Sequence, residues 1–211
     1  MITKGFYMAK PDGIVAIILG AGLSTRMGSS KLLLPWNNTT ILGNIVSALT
    51  SNEIHDIIVV VRPNHDQLKK HIQNLSNDYP VRYILNDSFE PEAMLTSIQY
   101  GLNAIKSSPT AALIVLGDQP QIEDDTIRRI VLSHHETNSS IVIPSYSMRR
   151  GHPWLIPYPL FSQFIKLQQP LTPRDFLEQH KDEIKYVIVD NDSILKDIDT
   201  PEDYQTLKPR I

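Results

Sequence analysis

Ile14-Val15-Ala16-Ile17-Ile18-Leu19 runs directly into Gly20-Ala21-Gly22-Leu23-Ser24-Thr25-Arg26-Met27-Gly28-Ser29-Ser30-Lys31. The first six residues are all apolar and rich in β-branched side chains. Such a run can face water on neither side, which is what a strand inside a helix-covered parallel sheet requires. The twelve residues after it carry three glycines, a guanidinium and an ammonium. In open α/β sheets, ligands bind beyond the carboxyl ends of the strands. This loop is therefore the first place to look for a site.

The same continuous apolar signature returns at residues 57–61 and 111–116, with a shorter strand expected at 81–85. Helical patterns lie between these runs. Ile41, Leu42, Ile45, Val46 and Leu49 share one face after a polar Asn-Asn-Thr-Thr cluster. Met94, Ile98, Leu102 and Ile105 do so after Pro91, and Ile127, Ile130 and Val131 after three acids suited to a helix start. Beyond residue 140 the pattern changes. Strands are expected at 141–143, 154–156 and 186–189, and a helix from about Pro201, but prolines at 153, 157, 159, 170 and 173 interrupt the alternation. The expectation is one α/β domain over residues 1–211, with a mostly parallel sheet, an irregular last third and a flexible N-terminal extension over 1–13.

Composition narrows the function. The chain has 211 residues and no cysteine, which excludes disulfides, thiolate metal sites and a cysteine nucleophile. Lys and Arg number 20 against 23 Asp and Glu, for a net charge of −3. Broad electrostatic capture of nucleic acid or an anionic membrane is not expected from that balance. There is no apolar run long enough to span a bilayer and no export signal. These silences lead us to expect a cytoplasmic protein.

The loop itself suits a polyanion. Glycines let the backbone approach phosphate oxygens, Arg26 can grip a phosphate with two parallel hydrogen bonds, and Lys31 adds a compact charge. An ordinary glycine-rich turn with exposed basic residues explains the same spacing. It is not a Walker A loop. It is not a dinucleotide fingerprint either, because Thr25 stands at the third glycine and Arg62, not an acid, ends the second strand.

Residues 20–31, continuing into Leu32-Leu33-Leu34-Pro35-Trp36, resemble the signature of the MobA-like NTP transferases. More narrowly they resemble the molybdenum cofactor cytidylyltransferase (MocA-like) branch. Gly117-Asp118-Gln119-Pro120, Arg150-Gly151-His152-Pro153 and Asp197-Ile198-Asp199-Thr200-Pro201-Glu202-Asp203 match in the family's order. The resemblance implies a Rossmann-like nucleotidyltransferase fold, three-layered and GT-A-like. It implies transfer of CMP from CTP onto molybdopterin-bound molybdenum, with Mg²⁺ (or Mn²⁺) as cofactor and a transient contact with a molybdenum hydroxylase. Another sugar or polyol phosphate nucleotidyltransferase, or a non-catalytic cofactor carrier, are the alternatives.

Arg26, Lys31 and Asp118 are then the expected catalytic residues. The nucleotide is expected on Leu19, Gly20, Ala21, Gly22, Arg26, Lys31, Asn86, Met94, Ser97 and Asp118, with Asp87 beside Asn86. Asp118 closes a tight turn after a buried strand, a good place for a hard-oxygen ligand to Mg²⁺, although a helix-capping Asp would look the same. Asp199 lies just outside a helix start formed by Thr200, Pro201 and Asp203, so it is free to join the metal; Asp197 is a weaker candidate. By resemblance His152 faces the acceptor. His134-His135-Glu136 is expected to be a solvated surface.

Overall fold

The computed structural model describes residues 12–21, 30–88, 94–137 and 139–209. The opening apolar run is β1 (Asp12–Leu19). A small hairpin, β2 (Pro35–Trp36) and β3 (Thr39–Thr40), leads to α1 (Ile41–Ser51), β4 (Asp56–Val61), α2 (Asp66–Leu75) and β5 (Val81–Leu85). Then come α3 (Met94–Asn103), β6 (Pro109–Leu116), α4 (Asp124–Thr137), β7 (Ile141–Tyr146), β8 (Arg149–Arg150) and β9 (Trp154–Pro157). The last third holds α5 (Phe161–Ile165), α6 (Pro173–Gln179), β10 (Ile184–Ile188) and α7 (Pro201–Leu207). Residues 12 and 13, counted from the sequence with an N-terminal extension, belong to β1; residues 1–11 lie outside the described residues.

The main sheet runs β10-β7-β9-β6-β1-β4-β5, with β8 paired to β7. Its heart, β6-β1-β4-β5, is parallel. The irregularity expected after residue 140 has a definite form: β9 enters antiparallel between β6 and β7. Consecutive strand residues point to opposite faces, and the core divides accordingly. Ile14, Ala16 and Ile18 join one apolar cluster with α1, α2 and α4, while Ile17 joins another with α3, α5 and α6. These two clusters make the three layers.

Two parts of the last third were not expected as helices, α5 and α6. Thr172 caps α6 by accepting from the Asp175 N–H, and the Asp175 carboxylate returns the bond to the Thr172 N–H. Thr200 and Asp203 do the same for α7. Thr-Pro-x-Asp thus writes the same helix start twice, and Pro173, which looked disruptive, sits in a first turn as Pro201 does, where its missing N–H costs nothing.

Gly117 ties the end of β6 to the end of β1. A Cβ there would lie 2.8 Å from the carbonyl oxygen of Leu19 and 2.8 Å from Leu32. The backbone cannot yield without moving both strand ends. Gly117→Ala is therefore expected to lower stability by about 1–3 kcal/mol, the usual cost of overpacking. Urea denaturation checks this; an unchanged midpoint would show that the strand ends tolerate separation.

Candidate active site

The carboxyl ends of β1 and β6 open into a cleft of about 760 Å³. Leu19 and Ala21 come from the end of β1, and Leu116 and Asp118 from the end of β6. Met94, Leu95 and Ser97 from the first turn of α3 form one side, residues 169–174 another, and Asp197 and Asp199 a third. β1 and β6 are in register up to Leu19 and Leu116, so the two loops that follow them start side by side.

Lys31 is where these loops meet. Its ammonium donates to Asp118 Oδ2 at 2.7 Å, to the Ile198 carbonyl at 3.0 Å and to Asp199 Oδ1 at 3.2 Å. The Ile198 N–H in turn donates to the Asp118 carbonyl at 2.9 Å. Residues 197–199 are thereby laid along the Asp118 turn, and two carboxylates converge on one cation. Burial pushes the Lys31 pKa down, but Asp118 and then Asp199 outweigh it, and the net movement is upward. Lys31 is firmly charged.

The other oxygen of Asp118, Oδ1, is buried with no hydrogen-bond partner among the described residues. A buried carboxylate oxygen left bare is costly. Together with Asp199 it offers the one or two carboxylates that Mg²⁺ or Mn²⁺ takes from a protein, the remaining ligands being water and phosphate. The donor set fits such an ion. Asp197 stands apart: its Oδ1 accepts from Gln119 Nε2 at 2.7 Å, and burial, with repulsion from Asp118 and Asp199, raises its pKa. Gln119, itself buried, thus holds the acidic segment in place.

Of the expected nucleotide contacts, Leu19, Ala21, Met94, Ser97 and Asp118 line the cleft. Gly20 sits just behind, its N–H bonded to the Val60 carbonyl at 2.9 Å, with Leu32 so close that a side chain would crowd it. Gly22 and Arg26 lie outside the described residues. Asn86 lies beneath the cleft surface. It is 1% exposed, its Nδ2 donates to Ser97 Oγ at 3.0 Å and its Oδ1 accepts from the Ser88 N–H at 3.0 Å. A buried amide needs such partners, so Asn86 orients the Ser97 hydroxyl. Asp87 is taken by the Tyr100 hydroxyl.

His152 does not line the cleft. Its ring stacks on Trp154, with centroids 4.3 Å apart and planes 17° from parallel. Burial, and then the charge of Arg174, push its pKa down to about 3. Between that value and the ordinary 6.5 the unfolded chain binds the extra proton. The stability His152 confers is thus complete above about pH 6.5 and drains away as the pH falls toward 3. His152→Phe, which keeps the stack, should flatten the pH dependence of the denaturation midpoint in that window; an unchanged slope would count against a buried neutral ring. His134 corrects an expectation in the same way. It is fully buried in α4, not solvated, because Ile127, Ile130 and His134 lie on the sheet-facing side; His135 and Glu136 are exposed.

Residues 16–184 match the model of the MobA-like NTP transferase domain. The chain is 31% identical over 200 residues to the molybdenum cofactor cytidylyltransferase of Escherichia coli K12, covering 94% of this chain and 97% of that one. Among solved structures, Rv0371c of Mycobacterium tuberculosis H37Rv superposes with a TM-score of 0.79 at 23% identity, over 94% of this chain and 98% of that one. Its manganese complex superposes at 0.75 and 22% identity, over 94% and 99%. The family match and the similarity to the Escherichia coli relative along nearly the whole chain make this three-layer α/β protein a nucleotidyltransferase. The chain belongs to the MobA-like NTP transferase family. No helix among the described residues is long and apolar enough to cross a membrane.

Proposed function

We propose that the chain transfers CMP from CTP to the terminal phosphate of molybdopterin carrying molybdenum, releasing pyrophosphate. The observation that carries this reading is the convergence of Lys31, Asp118 and Asp199 at the cleft, in a chain similar along nearly its whole length to a molybdenum cofactor cytidylyltransferase. An oxygen of the acceptor phosphate attacks the α-phosphorus of CTP in line. The bond from that phosphorus to the β-phosphate oxygen breaks, and pyrophosphate departs with its electron pair. Charge and atoms balance without a protein nucleophile or a proton acceptor.

The difficulty is an anion approaching a polyanion, so catalysis is positioning plus electrostatic stabilisation. Lys31 places its charge against the triphosphate and the leaving pyrophosphate, with Arg26 and the loop backbone from 19 to 22 as further contacts. Asp118 and Asp199 would hold Mg²⁺, which when bound supplies neutralising charge on the phosphates. Met94 and the Ser97 hydroxyl, the latter set by Asn86, face the base. A hydroxyl both donates and accepts, which suits the edge of cytosine.

The test is pyrophosphate release from each of CTP, GTP, ATP and UTP with Mg²⁺, using molybdopterin and sugar or polyol phosphates as acceptors. Release only with CTP and molybdopterin supports the reading. Release with a sugar phosphate instead, or binding of molybdopterin without release, sinks it.

A further inference from the structure

Four charged residues line the cleft among those described: Asp118, Asp197, Asp199 and Arg174. Three are acids at the end where Lys31 is already engaged. Arg174 stands on the separate wall made by residues 169–174. The proposed reaction needs two anions held side by side, and a cation committed to the triphosphate cannot also hold the second.

Arg174 has no structural employment. It makes no ion pair and no hydrogen bond among the described residues. The acids nearest in sequence are occupied elsewhere. Asp175 accepts from the Thr172 N–H at 2.7 Å and hydroxyl at 2.6 Å, and Glu178 lies 3.9 Å from Arg150 and 4.0 Å from Lys181. The titratable group that feels the Arg174 charge, His152, is neutral. A cation in the first turn of a helix is disfavoured by the N–H groups there, so Arg174 gains nothing from α6 itself. It is exposed, yet the wall that carries it is anchored. Phe176 and Leu177, on the next turn, are buried with Phe164 in the core.

We propose that Arg174 is the acceptor-binding residue: its guanidinium, on the cleft wall, takes the phosphate monoester of the second substrate. A planar fork matches phosphate with two parallel hydrogen bonds. This rests on the reading above that the acceptor is a phosphate-bearing cofactor. It moves the acceptor contact, expected from the sequence at His152, to Arg174, which lines the cleft where His152 does not.

The experiment is steady-state kinetics of the wild type, R174A and R174K, read as pyrophosphate release, with CTP and molybdopterin varied separately. Calorimetric titration of molybdopterin alone accompanies it. In R174A the KM for molybdopterin is expected to rise about 10- to 100-fold, the effect of one lost charge-assisted hydrogen bond. The KM for CTP should stay put, which also certifies the fold, and R174K should recover part of the loss. A wild type that turns over while R174A keeps its acceptor KM, or loses CTP affinity instead, overturns the assignment and leaves the cytidylyl transfer standing. A wild type that neither binds nor transfers to molybdopterin overturns both.

Discussion

Asp118→Asn is expected to keep the fold and lose turnover, with kcat falling by about 10³-fold, the scale on which preorganised charge acts in such sites. The substitution preserves shape, so Lys31 still finds an oxygen. What disappears is the anionic pair that Asp118 forms with Asp199 around a shared cation. CTP affinity should change far less than kcat, because the loop after β1 and the first turn of α3 are untouched. Pyrophosphate release and CTP titration in Mg²⁺ separate the two quantities. A variant with near-full kcat would remove Asp118 from the metal site.

Lys31→Ala should cost about 2.7–4 kcal/mol in transition-state stabilisation, or about 10²- to 10³-fold in kcat/KM. This variant has a second signature. The ammonium now stands between two carboxylates, and without it they repel each other. Added Mg²⁺ should therefore raise the thermal midpoint of Lys31→Ala more than that of the wild type, because the ion no longer competes with the lysine. Unchanged kcat/KM would exclude Lys31 from the reaction.

The sequence made the sheet legible because continuous apolar runs admit few other structures. Residues 14–19 and 57–61 lie between parallel neighbours, and 111–116 pair parallel with β1 and antiparallel with β9. Lys31 and Asp118 were visible as chemistry, since each follows such a run. Their mutual contact was not, because it joins positions 87 residues apart and depends on strand register. Asn86 was visible only as a polar residue at a strand end; that it points inward to Ser97 is a fact of packing. Arg174 was hidden because Pro173 stands in a proline-rich stretch that interrupts the alternation of strands and helices. The Thr172-Pro173-Arg174-Asp175 run held the signal, being the same helix start already recognised at Thr200.

The cleft is assembled from parts of unequal cooperativity. Its floor is the end of a sheet buried on both faces. One side is carried by the start of α6 and another, residues 197–199, leads into α7; both are seven-residue helices too short to persist alone. Each depends on one reciprocal side-chain latch. Amide hydrogen exchange should therefore be fast in those helices while β1 and β6 stay protected, so that substrates meet yielding walls over a fixed base.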